Sequence, residues 1–181
     1  MPQHHYVLMD RDGVINYDSD DFIKSPAEWL PIEGSLDAIA LLNKHGYDVA
    51  VISNQSGLAR GLFDEATLTA IHDKMQRMLA EKGGFIRSIY CCPHGPESNC
   101  NCRKPKPGLL EQFSDEHKVD LATVYFIGDS LRDLQAAQAV NAKPLLVKTG
   151  KGQKTLVNNP NLQLPVFENL YGAAEFILSK Q

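Results

Sequence analysis

Short apolar segments rich in β-branched residues alternate with amphipathic helical patterns along most of the chain. Five segments have the length and composition of buried strands: 6–9, 48–52, 85–91, 124–127 and 144–147. Strands that alternate with helices form parallel sheets, because each helix returns the chain to the starting end of the sheet. We therefore expect an α/β fold with a doubly wound, Rossmann-like parallel sheet.

The helices between these segments are predicted from their apolar faces and their end residues. Ser35 can cap the first helix and Asp64 the second, and glycine can end each of them. Segment 150–165 has no clear pattern and is predicted to be a surface loop. Three further helices are predicted at 108–117, 131–140 and 170–178.

Length and charge limit the classes of protein to consider. A chain of 181 residues with 43% hydrophobic content suits one domain, 1–181, with a sizeable core. A net charge of −4 argues against a nucleic-acid or anionic-membrane surface. No segment approaches the roughly 20 apolar residues that span a bilayer, and the N-terminus does not resemble a signal peptide. We expect a cytoplasmic protein without nucleic-acid or membrane partners, and a monomer on size alone.

Polar residues suited to phosphoryl transfer follow the predicted strands. Asp10 and Asp12 come directly after the first strand, Ser53 after the second and Asp129 after the fourth. Lys104 lies between the third and fourth strands. Ligands of open parallel sheets bind beyond the carboxyl ends of the strands, so these side chains are expected to converge there. Carboxylates, a hydroxyl and a lysine are the groups that phosphoryl transfer to a carboxylate requires.

The two neighbouring aspartates indicate a bound cation. Asp10 and Asp12 repel each other, and a divalent metal is the simplest compensation. A polar turn or a calcium loop is the alternative for an Asp-x-Asp-Gly segment. Ile15 and Tyr17 do not continue the ligand pattern of a calcium loop.

Four motifs in order resemble the haloacid-dehalogenase-like hydrolase superfamily, over about residues 6–147. They are Asp10-Arg11-Asp12-Gly13, Ser53-Asn54, Lys104-Pro105-Lys106-Pro107-Gly108 and Gly128-Asp129 with Asp133. The resemblance implies a magnesium-dependent phosphatase. No large cap domain is inserted after Asp12 or Ser53, so an open site shaped by short loops is expected.

The resemblance also implies roles for individual residues. Asp10 would be the nucleophile, and Asp12 the general acid and base. Asp10, the backbone carbonyl of Asp12, and Asp129 would bind Mg²⁺. Ser53 and the amides after it would bind phosphate oxygens, and Lys104 would neutralise phosphate charge.

Other residues are implied in substrate binding or support. Lys106 competes with Lys104, which is preferred because it directly precedes Pro-x-Pro-Gly. Asp133 is expected to support the metal ligands and not to bind the metal. Arg103 could bind a second anionic group. The expected substrate-binding residues are Asp18, Asn54, Gln55, Ser56, Arg60, Arg103 and Ser130.

All four cysteines lie between positions 91 and 102. Cys92, His94, Cys100 and Cys102 supply three thiolates and an imidazole, which suffice for a closed tetrahedral zinc site. A site with four protein ligands is structural, so zinc would fix the loop of about 91–103. Cys91 is predicted to be a small buried apolar residue. The remaining histidines are predicted at the surface: His4, His5, His45, His72 and His117.

The zinc loop and the motifs resemble a small branch that contains heptose bisphosphate and histidinol-phosphate phosphatases. Segment 54–61 is closer to the heptose enzymes, whereas the short 94–100 loop is closer to the histidinol enzymes. Ser130 replaces a substrate-contacting lysine of enteric heptose phosphatases. The resemblance implies hydrolysis of the 7-phosphate of D-glycero-D-manno-heptose 1,7-bisphosphate through an aspartyl-phosphate, in ADP-heptose and lipopolysaccharide core biosynthesis.

Several alternatives stay open. Histidinol phosphate or another small phosphate could be the substrate, and the acidic balance weighs against a phosphorylated nucleic-acid end. A phospho-aspartate signalling domain has the same fold class, but its phosphorylated aspartate follows a mid-chain strand, where this chain has Ser53. A zinc-bearing interaction module is the third alternative.

Overall fold

The computed structural model describes residues 5–181 and contains a six-stranded, wholly parallel sheet. The strand order is β3-β2-β1-β4-β5-β6, with helices on both faces. The predicted doubly wound α/β fold is therefore confirmed, whereas the prediction for His4 lies outside the described residues. The strands are β1 (His5–Met9), β2 (Tyr47–Asn54), β3 (Ser88–Cys92), β4 (Tyr125–Gly128), β5 (Lys143–Val147) and β6 (Val166–Phe167).

In the part of the chain that the structure describes, six α-helices connect or flank the strands. Asp64 caps α2 as predicted, because its side chain accepts a hydrogen bond from the Thr67 amide. The helices are α1 (Ser35–Lys44), α2 (Glu65–Glu81), α3 (Gly108–His117), α4 (Leu131–Ala139), α5 (Gly152–Asn158) and α6 (Leu170–Leu178), with short 3-10 helices at Pro26–Glu28 and Leu121–Thr123. No helix within residues 5–181 is both long and apolar enough to cross a membrane.

Three local predictions were wrong. Gly34, with a φ of +80°, caps α1, and the Ser35 hydroxyl instead donates to the Ile15 carbonyl. Segment 150–165 contains α5 and is not only a loop. The third strand begins at Ser88 and not at position 85, because the Gln76 side chain occupies the backbone N–H and carbonyl of Ile86.

The sheet separates two apolar clusters. Val7 and Met9 of β1 face one cluster, which includes the fully buried Trp29. Tyr6 and Leu8 face the other. Successive side chains of a strand point to opposite faces, so a strand covered on both sides is apolar throughout. This explains why the strands appear in the sequence as continuous apolar runs.

The chain reverses its direction across the sheet at β1. Strands β2 and β3 extend to one side of β1, and β4 to β6 extend to the other. Where the chain reverses in this way, a crevice opens between the carboxyl ends of the neighbouring strands β1 and β4. The Asp10 amide donates to the Ile127 carbonyl at 3.0 Å, which places Asp10 at this crevice.

Two histidines predicted at the surface are partly buried instead. His117 Nδ1 lies 3.1 Å from the Tyr6 hydroxyl, and its Nε2 lies 3.1 Å from the Tyr90 hydroxyl. His72 lies 3.1 Å from a guanidinium nitrogen of Arg11. The partners of both histidines belong to other elements of the fold, so the local sequence gave no signal of these contacts.

Candidate active site

The strand-end residues surround one pocket of about 240 Å³ at the crevice. Among the predicted catalytic, magnesium and substrate residues, only Ser53 does not line it, and Ser53 is almost fully buried. The predicted residues that line the pocket are Asp10, Asp12, Asp18, Asn54, Gln55, Ser56, Arg60, Arg103, Lys104, Asp129 and Ser130.

Lys104 is buried at the centre of the acidic cluster. Its Nζ lies 3.1 Å from Asp10 Oδ1 and 2.7 Å from Asp133 Oδ1, and it donates to the Ile52 carbonyl at 2.7 Å. Burial alone would lower the pKa of Lys104, but the two carboxylates outweigh it and raise the pKa. Lys104 is therefore a fixed cation beside Asp10.

The Asn54 side chain fixes the backbone of Lys104. Asn54 Nδ2 donates to the Lys104 carbonyl at 3.1 Å, and the Lys104 amide donates to Asn54 Oδ1 at 3.0 Å. Lys106 points elsewhere, since its Nζ donates to the Cys100 carbonyl at 3.1 Å. The structure thus brings Lys104 and not Lys106 into the pocket.

The acidic cluster contains Asp10, Asp129 and Asp133, with carboxylate oxygens within 4.8 Å of one another. Burial is the main cause that raises the pKa of Asp10 to about 7 and that of Asp129 to about 9. For Asp10 the opposing charge of Lys104 offsets part of this effect. Buried, mutually repelling carboxylates of this kind are a donor set for a hard divalent cation.

Asp133 is already occupied by protein partners. Its Oδ1 accepts from Lys104, while its Oδ2 accepts from the Ser130 hydroxyl and from the amides of Asp129 and Ser130. Ser130 and Asp133 form a capping box at the start of α4. Burial would raise the pKa of Asp133, but Lys104 and these hydrogen bonds lower it. This arrangement suits a residue that orients its neighbours.

Residues after β5 hold Asp129. Its Oδ2 accepts from the Lys151 amide at 2.8 Å, and its carbonyl accepts from the Thr155 hydroxyl at 2.8 Å. A Cβ at Gly13 or Gly150 would collide with Asp129 Oδ2, and both glycines have positive φ angles, +82° and +56°. Only glycine allows both backbones to approach the carboxylate this closely.

Asp12 is held by several donors. Its Oδ1 accepts from Arg11 Nε and Asn16 Nδ2, each at 2.9 Å, and its Oδ2 accepts from Gln55 Nε2 at 3.0 Å. Gln55 Nε2 also lies 2.8 Å from Ser53 Oγ. Burial would raise the pKa of Asp12, but Arg11 and the hydrogen bonds together lower it. The backbone N–H of Gln55 donates to the Cys92 carbonyl at 2.8 Å and is therefore not free to bind a phosphate oxygen.

Cationic side chains line the outer pocket. Arg60 stacks over the Phe22 ring with its guanidinium carbon 5.6 Å from the centroid, and Lys151 pairs with Asp18 at 3.5 Å. Burial, followed by the charge of Arg132, lowers the pKa of Arg103. The charges of Arg60, Arg103, Arg132 and Lys151 all face the same pocket.

Arg132 and Lys151 line the pocket but were not among the predicted site residues, whereas Asp133, predicted as a supporting residue, lies within the acidic cluster itself. Asp133 and Arg132 follow Asp129 within four positions, so the motif itself carried the signal. Lys151 follows β5, and the strand-end rule, applied to β5 as well, would have found it.

The four predicted zinc ligands form a second cluster. Cys92 Sγ lies 3.5 Å from His94 Nδ1, 3.8 Å from Cys100 Sγ and 3.1 Å from Cys102 Sγ. His94 Nδ1 lies 3.3 Å from Cys102 Sγ. Tetrahedral zinc sites place sulfur atoms about 3.8 Å apart and sulfur and nitrogen about 3.5 Å apart. The Cys92–Cys100 pair and both contacts of His94 Nδ1 lie near these values, whereas the Cys92–Cys102 pair is closer, and the four donors could hold one metal ion. Cys91 lies outside the cluster and is only partly buried, not buried as predicted.

Comparisons with known proteins agree with this site. Residues 101–173 match the family described as HAD-hydrolase-like. The chain is 52% identical to the D-glycero-beta-D-manno-heptose-1,7-bisphosphate 7-phosphatase of Bordetella bronchiseptica, covering 96% of this chain and 98% of that protein. The chain belongs to this phosphatase family. The same name applies to a Pseudomonas putida relative that is 50% identical, covering 95% of this chain and 98% of that protein.

Solved structures of the family share the fold. The D,D-heptose 1.7-bisphosphate phosphatase from B. bronchiseptica, complexed with magnesium and phosphate, matches with a TM-score of 0.95 at 51% identity, over 98% of this chain and 99% of that chain. The enzyme from Burkholderia thailandensis matches with a TM-score of 0.77 at 41% identity, over 97% and 99%. The predicted haloacid-dehalogenase-type fold and family are confirmed.

Proposed function

We propose that the protein is a phosphatase that removes the 7-phosphate of D-glycero-β-D-manno-heptose 1,7-bisphosphate, on the route to ADP-heptose and the lipopolysaccharide core. The observation that carries this proposal is the pairing of Asp10 with the buried cation Lys104, beneath a cationic outer wall. A bisphosphate offers two anionic groups to this arrangement. The activity named for the family relatives, including the β configuration, supports the same substrate.

In the first step, the Asp10 carboxylate attacks phosphorus and the bond to the sugar oxygen breaks. Asp12 protonates the leaving alkoxide, which prevents an unfavourable charge on the sugar. The product left on the enzyme is an aspartyl-phosphate on Asp10. Lys104 is positioned to stabilise negative charge on the transferring group, because its Nζ already contacts Asp10 Oδ1.

In the second step, Asp12 takes a proton from a water molecule that attacks the acyl-phosphate. Inorganic phosphate leaves, and the carboxylate of Asp10 is regenerated. One residue can serve both steps because the proton that it gives to the sugar oxygen is replaced by a second proton, which it takes from the attacking water. Ser53 and the backbone that follows it would contact phosphate oxygens from the β2 side of the pocket.

Mg²⁺ would be held by Asp10, the backbone carbonyl of Asp12, and Asp129. The raised pKa values of Asp10 and Asp129 reflect buried charge that a cation would compensate. When bound, Mg²⁺ supplies charge neutralisation between the carboxylates and the phosphate. Asp133 would keep Lys104 and the start of α4 in place.

Arg103 and Arg132 would bind the second phosphate, and Arg60 would complete the outer wall. Asp18, Asn54, Gln55, Ser56 and Ser130 would shape the remainder of the sugar-phosphate site. Arg103 also donates to the His94 carbonyl at 3.1 Å. A structural zinc ion at the cysteine and histidine cluster would thereby position Arg103 and, through the chain, Lys104.

The proposal extends to the setting of the enzyme. We propose that the chain acts as a single hydrolase domain, as a cytoplasmic monomer and on a small sugar phosphate. One sheet that includes strands from His5 to Phe167 supports the single domain.

The test measures phosphate release with magnesium from the β-heptose 1,7-bisphosphate and, at equal concentration, from histidinol phosphate. Asp10→Asn is the blank, and phosphorus NMR identifies which phosphate is lost. We expect preference for the bisphosphate, loss of the 7-phosphate and no turnover by Asp10→Asn. Preference for histidinol phosphate would refute the substrate, and activity retained by Asp10→Asn would refute the nucleophile.

A further inference from the structure

Arg11, between the two catalytic aspartates, is a fully buried cation. Its Nε donates to Asp12 Oδ1 at 2.9 Å. Its Nη2 lies 2.8 Å from the same oxygen, an ion-pair contact without hydrogen-bond geometry. The burial of a guanidinium is costly, so a buried arginine implies a specific requirement for its contacts.

The contacts of Asp12 differ between its two carboxylate oxygens. Oδ1 receives Arg11 and Asn16, whereas within residues 5–181 the structure gives Oδ2 a single donor, Gln55. A carboxylate oxygen with several strong donors is a poor proton acceptor. Oδ2 is thus the oxygen that is available to a reacting group in the pocket.

His72 of α2 holds the other side of the guanidinium. Arg11 Nη1 lies 3.1 Å from His72 Nε2, and an arginine can only donate, so Nε2 must be an unprotonated acceptor. Burial and the charge of Arg11 also lower the pKa of His72 to about 4. A neutral imidazole therefore anchors Arg11 to α2, which packs on the face of the sheet that also carries Val7 and Met9.

We propose that Arg11, anchored by His72, is a positioning residue that ties down Asp12 Oδ1 and reserves Oδ2 for proton transfer in both steps. This proposal rests on the proposed function. It assigns a role to His72, which is 61 positions from Arg11 and is not among the residues that line the pocket. An Asp12 released from Arg11 can rotate and direct either oxygen elsewhere, so proton transfer becomes slow while substrate binding is retained.

The experiment compares two leaving groups. Nitrophenolate leaves without a proton, so p-nitrophenyl phosphate needs Asp12 only for the second step, whereas a sugar phosphate needs it for both. With Arg11→Gln we expect a fall in kcat of about 100-fold for the sugar bisphosphate, with KM changed by less than about 3-fold. With p-nitrophenyl phosphate we expect a rapid burst of nitrophenolate, because the aspartyl-phosphate accumulates.

His72 offers a conservative pair of variants that keeps the proposal testable if Arg11→Gln folds poorly. His72→Leu removes the acceptor, and we expect a fall in kcat of about 10-fold together with a burst. His72→Gln supplies an amide oxygen to Arg11, and we expect recovery to within about 3-fold of the wild type. His45→Gln, at an exposed histidine remote from the pocket, is the matched control.

Two outcomes would overturn the proposal. One is an equal loss of kcat on both substrates without a burst, which indicates general structural damage. The other is equal activity of His72→Leu and His72→Gln. These results differ from a failure of the proposed function, which appears as turnover by Asp10→Asn or as the absence of phosphate release by the wild type from the sugar bisphosphate.

Discussion

Replacement of Lys104 by methionine tests how the acidic cluster is held together. Methionine keeps most of the apolar stem of the side chain but removes the ammonium group. Asp133, which is almost fully buried, then loses the cation that lies 2.7 Å from its Oδ1. Removal of one partner from a buried ion pair typically costs about 3–5 kcal/mol, because the other charge remains uncompensated.

Protonation sets an upper limit to that cost. In the wild type, Lys104 and hydrogen bonds lower the pKa of Asp133, so its contribution to stability is present above the unfolded-state pKa and is lost as the pH falls through the folded-state pKa. In Lys104→Met, Asp133 can instead take up a proton. With an unfolded-state pKa of about 3.9, protonation of Asp133 in the folded state costs about 4 kcal/mol near pH 7 and about 1.5 kcal/mol near pH 5. Protonation of Asp10 adds less to the cost of the substitution, because its pKa is already about 7.

Urea unfolding, followed by fluorescence of the single, fully buried Trp29, measures this loss without added magnesium. We expect Lys104→Met to lower the free energy of unfolding by about 3–4 kcal/mol near pH 7 and by about 1.5 kcal/mol near pH 5. The double variant Lys104→Met/Asp133→Asn should recover most of the pH-dependent part. A loss below about 1 kcal/mol near pH 7, or a loss independent of pH, would refute this electrostatic reasoning.

Three further predictions follow from the same site. Gly150→Ala should lower kcat by about 10-fold or more, because the new Cβ collides with Asp129. Gly34→Ala is the control: Gly34 also has a positive φ but lies in open space, so this variant should cost only about 1–2 kcal/mol of stability. Kinetics and unfolding of both variants separate the steric effect on Asp129 from the effect of backbone strain. Removal of zinc by a chelator, or Cys100→Ser, should lower Tm and phosphatase activity together, and elemental analysis should find about one zinc in the wild type. Magnesium should raise Tm more near pH 8 than near pH 5. Because the pKa of Asp10 is raised, its contribution to stability is present below the unfolded-state pKa and is lost as the pH rises through about 7, and bound Mg²⁺ compensates this loss. An equal rise in Tm at both pH values would contradict the assignment of Asp10 as a magnesium ligand.

Much of the site could be predicted because its chemistry lies in short segments. Asp10 and Asp12 follow an apolar run directly, and Asp129 follows another. A parallel α/β sheet brings such strand ends together whatever the loops do. The spacing of Cys, His and Cys residues from Cys92 to Cys102 likewise identified the four candidate metal ligands from local sequence alone.

Other features depended on contacts between distant segments. His72 looked like a surface residue because its partner, Arg11, is 61 positions away. Segment 85–87 looked like strand, but side chains of Gln76 and Asn43 bond the backbone of Ile86 and the Phe85 amide. Helix α5 is short and has little apolar periodicity, so packing and not local propensity defines it.

The sequence by itself determined the parallel fold, the identity of the acid pair and the four sulfur and nitrogen donors, because apolar periodicity and motif spacing are local properties. Only the tertiary structure decided that Asp133 is shared between Lys104 and the start of α4, and that Lys106 instead donates to the Cys100 carbonyl. It also decided which oxygen of Asp12 is tied down. Those outcomes depend on how closely atoms from distant parts of the chain approach one another, and only the packing of the folded protein fixes those positions.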